Sequence, residues 1–251
     1  MSQEPAVSPQ KVVHKHFRCV SLFSGFGGFD LGMERAGFVI DWQVEIDPYC
    51  RKVLERHWPT VRRWDDVSTF QPGPHFGTDV VFGGDPCQAN SAAGRSTAKS
   101  FGGEFLRVVE AVRPRVVLRE NPSHIRADAP WPWWRFRAGL ESLGYACVPF
   151  RLRACCAGGD HRRERLFVLG VMADANGVQL ARRDNEGSPA GEPRDDFPSL
   201  VGPEVWPDVP KHRGHGSRNG LPRYVERVRG IGNAVCPQVA EWIGRRLISV
   251  L

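Results

Sequence analysis

No apolar run in this chain is long enough to cross a bilayer, which argues against a membrane-spanning role. No N-terminal stretch carries a charged segment, an apolar segment and a small-residue cleavage site in order. The cysteines are seven, an odd count, and their spacing is regular nowhere. Cys147, Cys155, Cys156 and His161 lie close together, but adjacent cysteines make poor zinc geometry and no C-x2-C pair exists, so no metal site is expected. The expectation is a reduced, cytoplasmic protein whose thiols are mostly small core residues. No Gly-Lys-Ser/Thr phosphate loop is present, which argues against a triphosphate ligand. No internal repeat is visible.

What is present is a chain of 251 residues, 41% of them hydrophobic, enough for one full core or one core plus a small appendage. Lys and Arg number 34 against 28 Asp and Glu, a net charge of +6. A basic balance suits a polyanionic partner without requiring one.

Residues 1–16 are polar with two prolines and read as a loose tail. FRCVSLF (17–23) is a buried strand that runs into a glycine loop, and FDLGMERAG (29–37) has helical spacing. FVIDWQVEID (38–47) is a second strand, and PYCRKVLERHW (48–58) is a helix with proline at its start. A short strand near 61–67, a strand at TDVVFGG (78–84), a helix over 103–113 and a strand over 114–121 follow. A helix over 131–144 precedes two paired strands, 145–154 and 163–172. Strand–helix alternation on this scale predicts a parallel sheet covered by helices. Residues 173–222 are rich in Gly, Pro, Asp and Arg and lack periodicity, and order returns over 223–251 with a final amphipathic helix.

Several strand ends carry reactive or binding residues. FSGFGG (23–28) lets backbone approach a ligand, a weak signal alone. Glu45 falls at the end of the second strand, about 20 residues on, where an acid accepts from ribose hydroxyls. Asp65 and Asp66 end the next strand, so three successive strand ends describe a nucleoside cleft. Cys87, in GGDPCQANS (83–91), sits where a strand breaks into a mobile loop, a setting for a nucleophile as well as for a structural thiol. Glu120 and Asn121 end a further strand, as a proton-handling pair or as a plain turn cap.

FSGFGG, EID, GGDPCQ, REN, RRERLFVLG and GNAV occur in that order and at fitting distances, and together they resemble the DNA cytosine-5 methyltransferase family. The resemblance covers roughly 18–172 and 223–251. It implies a Rossmann-like, S-adenosylmethionine-dependent methyltransferase fold, a mostly parallel sheet with helices on both faces. A small loop-rich target-recognition lobe is implied beside it. The implied organisation is a tail (1–16), a discontinuous catalytic domain (17–172 and 223–251) and a small target-recognition region (173–222).

By similarity, S-adenosylmethionine is bordered by Phe23, Gly25, Phe26 and Gly28. Glu45 holds its ribose, Ile46 its adenine ring and Asp66 its adenine amino group. Pro86 and Phe101 line the pocket, and Asn233, Ala234 and Val235 close it. The family chemistry makes Cys87 the thiolate that adds to cytosine C6. Glu120 holds and protonates N3, and Asn121 orients its loop. Arg165 binds O2, and Arg163 positions the catalytic loop. The target base is flipped out of duplex DNA. Gln88 and Ser91, beside the nucleophile, are assigned to DNA contact, as are Arg213, Arg218 and Arg223 in a stretch (211–229) with six basic residues against one acid.

Three residues depart from the family pattern: His161 in place of a glutamine, Asp85 in place of an apolar residue, and Pro122 in place of a valine. Asp85, an acid beside a donor pocket, is the hardest to rationalise. The expected partners are double-stranded DNA and a cognate restriction endonuclease, with a monomeric enzyme in the cytoplasm of a bacterial or virus-infected bacterial cell. The alternatives are a non-catalytic relative, an RNA-directed one, or one using a modified donor.

Overall fold

The computed structural model describes residues 16–73, 76–86, 101–123, 132–159, 161–172, 234–248 and 251. Its strands are β1 (Arg18–Leu22), β2 (Val39–Val44), β3 (Arg62–Trp64), β4 (Val80–Gly84), β5 (Val116–Pro122), β6 (Tyr145–Arg153) and β7 (Glu164–Met172). Its helices are α1 (Gly28–Arg35), α2 (Pro48–His57), α3 (Gly102–Val112), α4 (Trp133–Ser142) and α5 (Pro237–Ile248), with a 3-10 turn at Ala154–Ala157.

The strands form one sheet in the order β3-β2-β1-β4-β5-β7-β6. β1 to β5 pair in parallel, and β7 alone is reversed, running antiparallel to both β5 and β6. Covered on both faces, the central strands lack polar alternation and read as apolar runs, as a parallel sheet requires. Their side chains still divide by the period of two. Cys19, Val80, Phe82, Val116 and Leu118 join a core with α1 and α5. Val20, Leu22, Val81 and Val117 join a second core with α3 and α4.

The order predicted along the chain is the order observed, with ends moved by a few residues. Arg163, expected inside a strand, lies just before β7. The final amphipathic helix, α5, packs chiefly on α1. The reason is a row of small residues. A Cβ on Gly32 would collide with the Pro237 carbonyl oxygen and the Ala240 Cβ, and one on Gly244 would collide with Ala36. Two helices approach this closely only without side chains between them.

Strand order fixes where a ligand can sit. The chain runs outward from β1 to β3, then crosses back to β4 on the other side of β1. The crevice at that reversal, beyond the carboxyl ends of the strands, is the binding position of an open α/β sheet.

Candidate active site

A cavity of about 260 Å³ opens at this position. One wall is built by the β1 end and its loop, namely Ser21, Leu22, Phe23, Ser24 and Gly25. The chain turns sharply there, with Phe23 at φ 55, Gly25 at φ 56 and Gly27 at φ 77. Phe23 is the informative case, because a side-chain-bearing residue seldom takes this conformation without an enforcing reason. Its ring packs against Phe101 at 5.7 Å and Phe105 at 6.3 Å.

The second wall is the turn from β2 to α2. Glu45 Oε2 accepts from the Gly25 N–H at 2.7 Å, and Oε1 accepts from the Asp47 N–H at 2.8 Å. Burial pushes the Glu45 carboxyl up, against the pull of these two N–H donors. Asp47 caps α2 through the Tyr49 and Cys50 N–H groups, and Arg51 donates to the carbonyls of Glu45 and Ile46. The turn is therefore rigid, yet Ile46 on it is 64% exposed. An exposed, firmly held apolar side chain on a cavity wall is a platform for a flat apolar ligand face.

Below the floor lies a network that inspection of the sequence missed. Asp30, on α1, is fully buried and accepts from Ser21 Oγ at 2.9 Å and Gln43 Nε2 at 2.9 Å. Ser24 Oγ donates to Ser21 at 2.9 Å. Burial raises the Asp30 carboxyl to about 6. In FDLG the residue looks like an ordinary first-turn acid, and only sheet packing puts it between β1 and β2.

The far wall carries Gly84, Asp85, Pro86, Glu120, Pro122, Arg163 and Arg165. Glu120 lies opposite Gly84 on β4, and Pro122 lies opposite Arg165 on β7, so strand pairing alone assembles this wall. Arg165 Nε is 2.7 Å from Glu120 Oε1. A Cβ on Gly84 would stand 2.8 Å from Glu120 Oε2, so glycine there leaves the carboxylate its place. Burial raises the Glu120 carboxyl to about 7, while Arg165 and Arg163 pull it down and Asp85 pushes it up. A carboxyl poised near neutrality can donate or accept a proton at physiological pH. Among the described thiols, burial pushes Cys19 well up and Cys147 to about 12, which makes these two poor nucleophiles.

Of the expected donor residues, Phe23, Gly25, Glu45, Ile46, Pro86, Ala234 and Val235 line the cavity together. Phe101 stands behind Phe23, and Phe26 packs on the Tyr49 ring at 5.8 Å. Gly28 is a seat for the C-terminal segment, since a Cβ there would strike the Val235 carbonyl oxygen. Asp66 is not among the lining residues, and its Oδ1 accepts from the N–H and Oγ of Ser68. Asn121 faces away from the cavity and donates to Asp85 at 3.0 Å. Cys87, Gln88, Ser91, Arg213, Arg218, Arg223 and Asn233 lie outside the described residues, as does all of 173–222.

Known proteins share sequence and fold with this chain. The family profile "C-5 cytosine-specific DNA methylase" matches residues 17–205. Type II methyltransferase M.HgiCII of Herpetosiphon aurantiacus is 32% identical over 173 residues, 63% of this chain and 38% of that protein. Type II methyltransferase M.Eco47II of Escherichia coli is 33% identical over 181 residues, 67% of this chain and 43% of that protein. The matched part thus spans less than half the length of these relatives. The crystal structure of a Spodoptera frugiperda DNMT2 mutant superposes with a TM-score of 0.54 at 16% identity, covering 67% of this chain and 54% of that one, a likeness of fold. With its sheet order, its carboxylate–guanidinium wall and a profile match across most of its length, the chain belongs to the C-5 cytosine-specific DNA methylase family.

Proposed function

We propose that this chain is a DNA cytosine-5 methyltransferase. It takes a methyl group from S-adenosylmethionine and places it on C5 of a cytosine flipped out of double-stranded DNA, with Cys87 as nucleophile. The observation that carries this reading is one cavity with two chemically distinct walls. A ribose-type acid and an apolar platform, Glu45 and Ile46, face one part of it, and the Glu120–Arg165 pair faces another.

The residues present fit S-adenosylmethionine. Glu45 accepts hydroxyl hydrogens at a strand end, Ile46 offers its exposed face to the adenine, and Gly25 lets the backbone of the β1 loop come close. When bound, this donor supplies an electrophilic methyl group on a sulfonium sulfur.

Cytosine C5 is a weak nucleophile, and the protein's task is to make it a stronger one. Arg165 donates to the base O2 and draws electron density from the ring. Glu120 in its acid form donates to N3, which makes C6 more electrophilic. The Cys87 thiolate then forms a bond to C6, and the ring electrons move to give an enamine with density at C5. After C5 is methylated, it loses its proton, the C6–S bond breaks, and the electron pair returns to the thiolate as the ring recovers. One hard step becomes several easier ones. Asn121 and Arg163 hold the surrounding segments.

The test is mass spectrometry of nucleosides from plasmid DNA incubated with the purified protein and S-adenosylmethionine, beside Cys87→Ala. A 5-methylcytosine peak, absent in the control, is the expected result. Folded, donor-binding protein that gives no peak on DNA would overturn the reading, and a peak on RNA alone would transfer it to another substrate.

A further inference from the structure

Asp85, the residue hardest to rationalise from the sequence, has its partner in the structure. Arg119 Nε donates to Asp85 Oδ1 at 2.7 Å and Nη2 to Oδ2 at 2.8 Å. Both side chains are 0% exposed. The Asn121 amide donates to the same carboxylate at 3.0 Å. The Arg119 guanidinium also lies over the Phe136 ring of α4, at 4.5 Å.

The position of this pair carries the argument. Alternation along β5 sends Glu120 to the cavity face and its two neighbours, Arg119 and Asn121, to the opposite face. Both neighbours are held by one carboxylate at the end of β4. Two residues beyond that carboxylate in sequence comes Cys87. A buried ion pair is a weak source of stability, since apolar residues of equal volume serve as well or better. What a two-pronged pair supplies that apolar packing does not is a fixed distance and orientation between the segments it joins.

We propose that Asp85 and Arg119 form a positioning clamp, which locks the end of β4, leading to Cys87, against the end of β5, bearing Glu120, at the separation the target base requires. This rests on the reading of Cys87 and Glu120 as the reacting groups. With both side chains 0% exposed, the clamp acts through the two strand ends.

The experiment compares wild type with Asp85→Leu/Arg119→Met, which removes both charges together, and with Arg119→Lys, which keeps the charge and loses the fork. Four quantities are measured: melting temperature, donor Kd, single-turnover methylation rate with KM for DNA, and the rate of Cys87 alkylation by iodoacetamide. The double variant is expected to melt near wild type and bind donor within about two-fold. Its single-turnover rate should fall by about 10- to 100-fold with KM little changed, the size of effect that small misplacement of reacting groups produces. Its Cys87 alkylation rate should change several-fold, and Arg119→Lys should fall between the two. A double variant with wild-type single-turnover and alkylation rates would overturn the clamp. Should it fail to fold, a wild-type rate in Arg119→Lys would overturn it instead. Should wild type form no 5-methylcytosine, the functional reading fails separately. The alkylation comparison then decides alone: a changed rate supports the clamp and an unchanged rate overturns it.

Discussion

The Arg165 guanidinium on β7 lies 2.7 Å from the Glu120 carboxylate on β5, in a cavity wall that burial makes expensive for charge. Burial and the arginines pull the carboxyl in opposite directions, and it comes to rest at about 7. Below that pH it can donate to a ring nitrogen, and above it the proton is gone. The kcat/KM profile of wild type should therefore carry an ionisation near 7, which reports the free enzyme. Glu120→Gln should remove that ionisation and lower turnover by about 100- to 10,000-fold. Arg165→Met removes a group that holds the pKa down, so any residual profile should shift to higher pH. The check is a pH–rate profile of all three proteins.

The same carboxyl affects stability. Its pKa is raised from 4.5 to about 7 by folding, so the folded state binds the proton more tightly than the unfolded chain. Its contribution is most favourable below about 4.5 and is lost as pH rises towards 7. Glu120→Gln should thus melt above wild type at pH 8, with the difference shrinking to nothing near pH 4.5. Thermal melts across this range test it. A difference that grew on acidification would have the wrong sign.

Glu45 bridges the β1 loop and the β2 turn through its two backbone acceptor contacts. Hydrogen bonds to a charged group contribute about 1.5–3 kcal/mol, so Glu45→Ala should weaken S-adenosylmethionine binding by roughly 10- to 100-fold. Binding to DNA alone should hardly move. Calorimetric titration of donor and a DNA binding isotherm check both halves. Unaltered donor affinity would remove Glu45 from the site.

Gly32 and Gly28 form the seat on α1 for the C-terminal segment. A methyl group at Gly32 meets backbone of α5, which cannot rotate aside, so Gly32→Ala should cost about 1–3 kcal/mol. Because Ala234 and Val235 line the cavity from that segment, donor affinity should fall along with melting temperature. Differential scanning fluorimetry with and without donor measures both. A lower melting point with intact donor affinity would mean that α5 supports the fold without shaping the cleft.

The strand ends were legible because each motif lies on one continuous segment. FSGFGG, EID and REN announce Glu45 and Glu120 by the residues beside them. What was hidden depends on which strands become neighbours. Asp85 looks misplaced in GGDPCQ because Arg119 is 34 positions away and meets it only when β4 and β5 pair. Asp30 likewise needs Ser21 and Gln43 from two different strands before it reads as part of a buried network. Gly28 is also the seat of Val235, which the sequence did not announce, since a glycine does not say which neighbour needs the space.

The most direct test of the central claim uses duplex DNA carrying 5-fluorocytosine at target sites. Fluorine on C5 cannot leave as a proton does, so once C6 is bonded to sulfur and C5 is methylated, the thiol cannot be expelled. Wild type with S-adenosylmethionine should give a covalent protein–DNA complex that survives denaturation, with the modified peptide mapping to Cys87 and no complex from Cys87→Ala. Formation of 5-methylcytosine on ordinary DNA, with no such complex or with the adduct on another residue, would contradict it.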